Sequence, residues 1–197
     1  MKYFINPNQT KFNNHAGFSL IELTVALSVT AILTSIGMPS YNDLIKKQQI
    51  SADINRWYRA FNLARHTAII NSKIVTLCPS DNGEQCTSNW QDGGLIFVDD
   101  NKNHLRDFGE QLIQVIAKSS DEHNITWRAF QNRNYLQFQE NGFTWAQNGT
   151  LRVCNSDTSL KYNRAIIVTR SGRLRLSQDI NGDGIEDDAS GKSITCS

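Results

Sequence analysis

The chain has 197 residues, 39% hydrophobic and 20% charged, with a formal net charge of +1. That length suits one domain with an appendage better than two full domains. The near-neutral balance excludes a globally basic protein, so any contact with a polyanion must come from a local patch. Lys2 and Lys11 precede residue 18 with no acid beside them, which leaves 18 basic and 19 acidic residues in the remainder.

The first element is residues 18–38, 21 residues carrying a single charged side chain, Glu22. A run this long and apolar can cross a bilayer as a helix. An ordinary secretory signal is cut behind its apolar region at small residues. No such site follows here, and the segment continues through Pro39 into a polar stretch. A lone carboxylate at this depth costs at least ~2.5 kcal/mol and needs a partner. Cleavage between Gly17 and Phe18 would supply one, because the new amine of Phe18 is five residues or fewer from Glu22, in the same chain or a packed neighbour.

Gly17-Phe18-Ser19-Leu20-Ile21-Glu22, with a proline at position 39, resembles the type III signal of type IV pilins and pseudopilins. The resemblance implies cleavage after Gly17 by a prepilin peptidase, N-methylation of Phe18 and a contact from Glu22 to a neighbouring subunit's amine during assembly. It also implies insertion in the bacterial inner membrane as a single-pass protein with its head in the periplasm, before transfer to a pilus. Four segments are expected: a cleaved leader (1–17), the membrane and assembly half of a long helix (18–39), an amphipathic half (40–70) and a β-rich head (71–197).

Pro39 removes one backbone donor and is expected to kink or loosen the helix near Gly37. Beyond it Ile50, Ile54, Trp57, Phe61, Ala64 and Ala68 recur at spacings of three and four, the stripe of a helix that packs on a core. Lys46, Lys47, Asp53, Arg56, Arg59 and Arg65 fall mostly on other faces.

Eight candidate strands follow, at 74–78, 95–99, 112–117, 125–130, 135–138, 151–154, 165–169 and 173–177. Turn pairs separate them at Asn82-Gly83, Gly93-Gly94, Asn141-Gly142, Asn148-Gly149 and Ser171-Gly172. The fold class is therefore α+β, a type IV pilin-like long helix packed on an antiparallel sheet. Cys78, Cys86, Cys154 and Cys196 show neither CxxC nor CxxH spacing, so an even set reads as disulfides in an oxidising compartment. Of three possible pairings we favour Cys78 with Cys86, closing a short loop, and Cys154 with Cys196, pinning the tail.

The stretch at 77–101 joins Cys-Pro-Ser, a second Cys, a Trp, glycines and a strand ending in Asp. It resembles the FimT/GspH group of minor pilins and pseudopilins. Two acidic stretches echo calcium loops. Asp99, Asn101, Asn103, Asp107 and Glu110 have His104 where the loop needs glycine, and Asp179, Asn181, Asp183 and Gly184 are followed by Ser190 where the loop needs glutamate. Both are expected to be Asx-rich turns without metal. His15, His66, His104 and His123 have no metal-ligand spacing, and no nucleotide-binding or hydrolase motif occurs. Neither an enzyme nor a cofactor is expected.

The last signal is charge. Residues 151–178 contain six basic side chains (Arg152, Lys161, Arg164, Arg170, Arg173, Arg175) against one acid, Asp157, while residues 179–188 contain five acids. In Gly172-Arg173-Leu174-Arg175 the glycine permits a tight turn, and strand alternation puts the two arginines on one face with Leu174 and Leu176 on the other. Arginine forks suit phosphate oxygens. This tetrapeptide resembles the GRxR motif of the FimT branch, which implies sequence-independent binding of double-stranded DNA for uptake in natural transformation. Arg173 and Arg175 would be the main phosphate contacts, with Arg170, Arg164 and Lys161 as an electrostatic surround. No aromatic cluster near Arg173 is evident, so no base stacking is expected. The alternative is a structural minor pilin or type II secretion pseudopilin that primes or caps a filament of pilin subunits without binding DNA.

Overall fold

The computed structural model describes residues 17–145, 147–157, 159–188 and 190–196, excluding the side chain of Pro39. Residues 1–16 of the expected leader lie outside the described residues. The chain divides into two compact units between Asn42 and Asp43. Helix α1 (Leu20–Asn71) contributes to both and is assigned without a break at position 39.

In the first unit Ser19 caps α1. Its Oγ accepts the backbone N–H of Glu22 at 3.2 Å, and its carbonyl accepts that of Leu23 at 3.1 Å. Ser at the cap with Glu three residues on is the capping-box spacing, and an acid in the first turn also complements the helix dipole. Leu20, Ile21, Leu27, Ile32, Leu33 and Ile36 are all exposed. By length and composition this part of α1 is apolar enough to cross a membrane.

The second unit comprises the rest of α1 and eight strands: β1 (Val75–Pro79), β2 (Gly94–Val98), β3 (Leu112–Ile116), β4 (His123–Ala129), β5 (Leu136–Phe138), β6 (Gly149–Asn155), β7 (Arg164–Val168) and β8 (Leu174–Leu176). Every expected strand is present within two residues of its expected ends, but a single sheet is not what they build. They form two antiparallel sheets, ordered β3-β2-β1-β5 and β4-β6-β7-β8. Asn148-Gly149 is not a turn either. Gly149 opens β6, where a Cβ would meet the Trp127 ring at 2.5 Å.

One core joins the helix to both sheets. Ile50, Ile54, Trp57, Phe61, Ala64 and Ala68 are all buried, against Val75, Leu77 and Phe138 of the first sheet and Leu151, Val153 and Ile166 of the second. Trp57, Phe61, Trp90 and Trp127 meet ring to ring at centroid distances of 5.4 to 6.5 Å. Each fully buried large side chain contributes about 1.5–3 kcal/mol by leaving water. The helix stops after Asn71, where Ser72 takes φ 49° and the Lys73 amide reaches back to the Ala68 carbonyl at 3.1 Å.

The polar side of α1 is less exposed than its charges suggest. Asp53 is buried, accepts from Arg56 and contacts His123 Nδ1, and Arg56 also donates to Ser119 Oγ at 2.7 Å. Arg65 is half-buried and donates to the Gly142 carbonyl at 3.1 Å.

Disulfides join Cys78 to Cys86 and Cys154 to Cys196, with Cα separations of 5.6 and 6.1 Å. The second holds the tail beside β6, where Ile194 is buried and its carbonyl accepts from Asn163 Nδ2 at 2.8 Å.

Candidate nucleic-acid interface

Strands β7 and β8 form a hairpin in register Ile166↔Leu176, Ile167↔Arg175 and Val168↔Leu174. β7 lies in the core over most of its length, whereas β8 is the edge of the second sheet. The turn between them is closed by Thr169 and Arg173. The Thr169 amide donates to the Arg173 carbonyl at 3.0 Å, its hydroxyl does the same at 3.2 Å, and the Gly172 amide returns to the Thr169 carbonyl at 2.9 Å. Gly172 takes φ 71° and is buried. A side chain there has no room, since a Cβ would meet the Gly142 carbonyl oxygen at 1.9 Å.

This geometry displays three arginines. Arg170, Arg173 and Arg175 are exposed, and among the described residues none of their guanidiniums has an acidic or hydrogen-bonding partner. Leu174 packs against the core, but Leu176 is 41% exposed, so the expected apolar face of β8 is only half covered.

The other expected members of the basic patch are engaged elsewhere. Lys161 Nζ pairs with Asp43 Oδ2 at 3.0 Å, and Tyr162 donates to the other Asp43 oxygen at 2.7 Å. The Tyr162 hydroxyl first, then Lys161, hold the Asp43 carboxyl below its usual range. Arg164 pairs with Glu186 at 3.2 Å and donates to the Asn163 carbonyl at 2.9 Å. Arg152 donates to the Thr195 carbonyl at 3.2 Å, and burial followed by the nearby Arg128 pulls its pKa down. Of the expected electrostatic surround only Arg170 joins Arg173 and Arg175 as a charge unpaired among the described residues. Lys161 instead ties the head to α1, and Arg164 ties β7 to the acidic segment that follows β8.

Aromatic side chains do stand at this site, contrary to expectation. Phe143 and Trp145 are 51% and 69% exposed and line a groove of about 740 Å³ together with Asn141, Thr144, Arg170 and Ser171. Thr144 between them is buried and binds the turn: its amide donates to the Arg170 carbonyl at 3.0 Å, while its hydroxyl lies between the Gln147 carbonyl at 2.5 Å and the Thr169 carbonyl at 3.1 Å. The loop bearing both rings is thereby fixed to the arginine turn. The signal available beforehand was Asn-Gly-Phe-Thr-Trp, two large aromatics two residues apart directly after a turn pair, outside any strand pattern.

Carboxylates of the acidic stretches accept from nearby amides and side chains. Asp99 is buried and accepts from Thr76, Gln137 and the amides of Asn103 and His104. Glu110 accepts from the amides of Asp100 and Asp107, and Asp179 from those of Gly182 and Gly184 at 2.7 and 2.8 Å. The Asp99 and Asp179 contacts are Asx-type loop closures, and Glu110 closes its loop in the same way with a longer side chain. At the other end of the chain Gly17, Phe18 and Glu22 are exposed.

Two family descriptions match the chain: type II transport protein GspH over residues 53–172, and the prokaryotic N-terminal methylation motif over residues 12–38. No curated protein matches significantly. Among solved structures, the type IV minor pilin FimU of Pseudomonas aeruginosa is similar at 14% identity and TM-score 0.49, over 70% of this chain and 92% of that one. The minor pseudopilin EpsH of the Vibrio cholerae type 2 secretion system is similar at 9% identity and TM-score 0.48, over 65% of this chain and 95% of that one.

Proposed function

Because the chain belongs to the family of the type II transport protein GspH and carries the N-terminal methylation motif, we propose that it is a minor pilin whose head binds double-stranded DNA for uptake. The observation that carries this reading is the turn at 169–175, where Arg170, Arg173 and Arg175 stand exposed and unpaired among the described residues while Lys161 and Arg164 are neutralised by acids. Arginines left without a carboxylate offer planar donor forks to phosphate oxygens. The contact is to the backbone and independent of sequence.

The assembly end follows the same reading. A prepilin peptidase cuts after Gly17, Phe18 is methylated, and Glu22 meets the amine of a neighbouring pilin. The capping role of the Ser19–Glu22 turn is compatible with this, because the hydrogen bond uses the Glu22 amide and leaves its carboxylate available. The protein resides in the inner membrane with its head in the periplasm before it joins the pilus. Mass spectrometry of the mature chain tests the processing: it should begin at methylated Phe18.

A gel shift of the detergent-solubilised chain with blunt duplexes of unrelated sequence tests the DNA reading. Retardation of all of them to a similar extent is expected, and no retardation at low salt would reject it. The family description favours one second reading, a type II secretion pseudopilin that primes or caps a filament, in which the three arginines contact neighbouring subunits. That reading predicts no DNA retardation.

A further inference from the structure

We infer that the groove beside the arginine turn stacks an unpaired base of single-stranded DNA on Trp145 and Phe143, so that the head grips frayed or single-stranded ends as well as duplex. This inference rests on the DNA reading above. Trp145, at 69% exposed, and Phe143, at 51%, present far more ring surface to water than Trp57, Trp90 or any other tryptophan of the core. Exposed aromatic surface gathered in one concave place marks a binding site more often than it marks incomplete packing. Arg170 and Ser171 form the wall of the same groove, and among the described residues no acidic side chain lines it. Asn141 also lines it, and its side-chain oxygen is taken by the Phe143 amide at 3.0 Å, which leaves its amide NH2 to meet an acceptor on a base edge.

The choice of occupant follows from chemistry. A duplex keeps its base faces inside the stack and can use only the arginines. An apolar side chain from another pilin can use only the rings. An unpaired nucleotide uses both, with its base on the aromatic faces and its phosphates beside the guanidiniums, and such stacking tolerates every base. Preorganisation favours it as well. Thr144 ties the aromatic loop to the Thr169 and Arg170 carbonyls, so little conformational freedom remains to be lost when a base enters.

Fluorescence anisotropy of the detergent-solubilised full chain, with oligo(dT) and a blunt duplex of equal length, tests the proposal. Trp145→Ala should weaken oligo(dT) binding about tenfold while changing duplex binding less than about twofold, and Trp145→Phe should restore most of the loss. Equal losses on both probes, or none on oligo(dT), overturn the stacking inference and leave the duplex reading standing. If the wild-type chain binds neither probe, both readings fall. If Trp145→Ala spares both probes but blocks incorporation into filaments, the groove belongs to a pilin contact and the inference is overturned.

Discussion

The carbonyl oxygen of Gly142 occupies the space that a side chain on Gly172 would need, at 1.9 Å from the Cβ position. The two glycines therefore bring the aromatic loop and the arginine turn into backbone contact, and Arg65 Nε holds the same carbonyl at 3.1 Å. Gly172→Ala must push Gly142 away and also place a Cβ at φ 71°. We expect a loss of about 2–4 kcal/mol in unfolding free energy, measured by chemical denaturation. Duplex binding should weaken too, because Arg173 loses its fixed turn. A variant as stable as wild type would mean the two loops separate freely.

Arg173→Gln and Arg175→Gln each remove one guanidinium that has no partner among the described residues, so neither should alter stability beyond about 0.5 kcal/mol. On duplex DNA each should reduce the slope of log affinity against log salt by about one, equally across sequences. Arg59→Gln is the charge-matched control, being exposed on α1 and outside the site. Arg56 is unsuitable, since it is half-buried and bound to Asp53 and Ser119. A control that loses as much affinity as the hairpin variants would assign binding to general charge.

Cys154 and Cys196 close a loop of sequence separation 42. Replacing both by Ser should lower stability by roughly 4 kcal/mol on chain-entropy grounds. The tail bearing Ile194 should then be the first segment to exchange its amide hydrogens. Hydrogen exchange read by mass spectrometry checks this, and full protection of residues 186–196 in the variant would show that packing alone holds the tail.

His104 gives a pH dependence. Burial lowers its pKa below the ordinary 6.5, outweighing the nearby Asp99, and its Nδ1 lies 3.0 Å from the Gln137 side-chain nitrogen, a donor that suits an unprotonated ring. With the folded value depressed, the unfolded chain takes up the proton first as pH falls. Stability is therefore full above about pH 6.5 and declines as pH drops towards the folded value. His104→Asn, which tolerates the φ of 68°, should lose less stability than wild type between about pH 7 and about pH 5. Parallel declines in thermal unfolding would exclude His104 as the source.

The strands were legible because alternation and turn pairs are local, and the helix stripe because Ile50, Ile54, Trp57 and Phe61 keep their period. The division into two sheets was not. It depends on β1 pairing with β5, some sixty residues on, a choice no local pattern encodes. The same distance hid the charge pairing at the site. Lys161 meets Asp43 across 118 positions, so a count along the chain credited it to the basic patch. Trp145 was not legible for a related reason, lying 25 residues before Arg170 and brought to it by the Thr144 and Gly142 backbone contacts with the arginine turn.

The register of the hairpin also sets how the site responds to being pulled. Load on Arg175 enters through β8, a three-residue edge strand held to β7 alone within its sheet. Tension across that ladder would peel its hydrogen bonds one pair at a time, whereas tension along it would have to break them together. The turn itself has a second fastening, because Thr144 grips the carbonyls of Thr169 and Arg170 from outside the sheet. Force applied at Arg170 or Arg173 is thus shared between two loops, which makes the arginine turn a firmer anchor than the short strand that follows it.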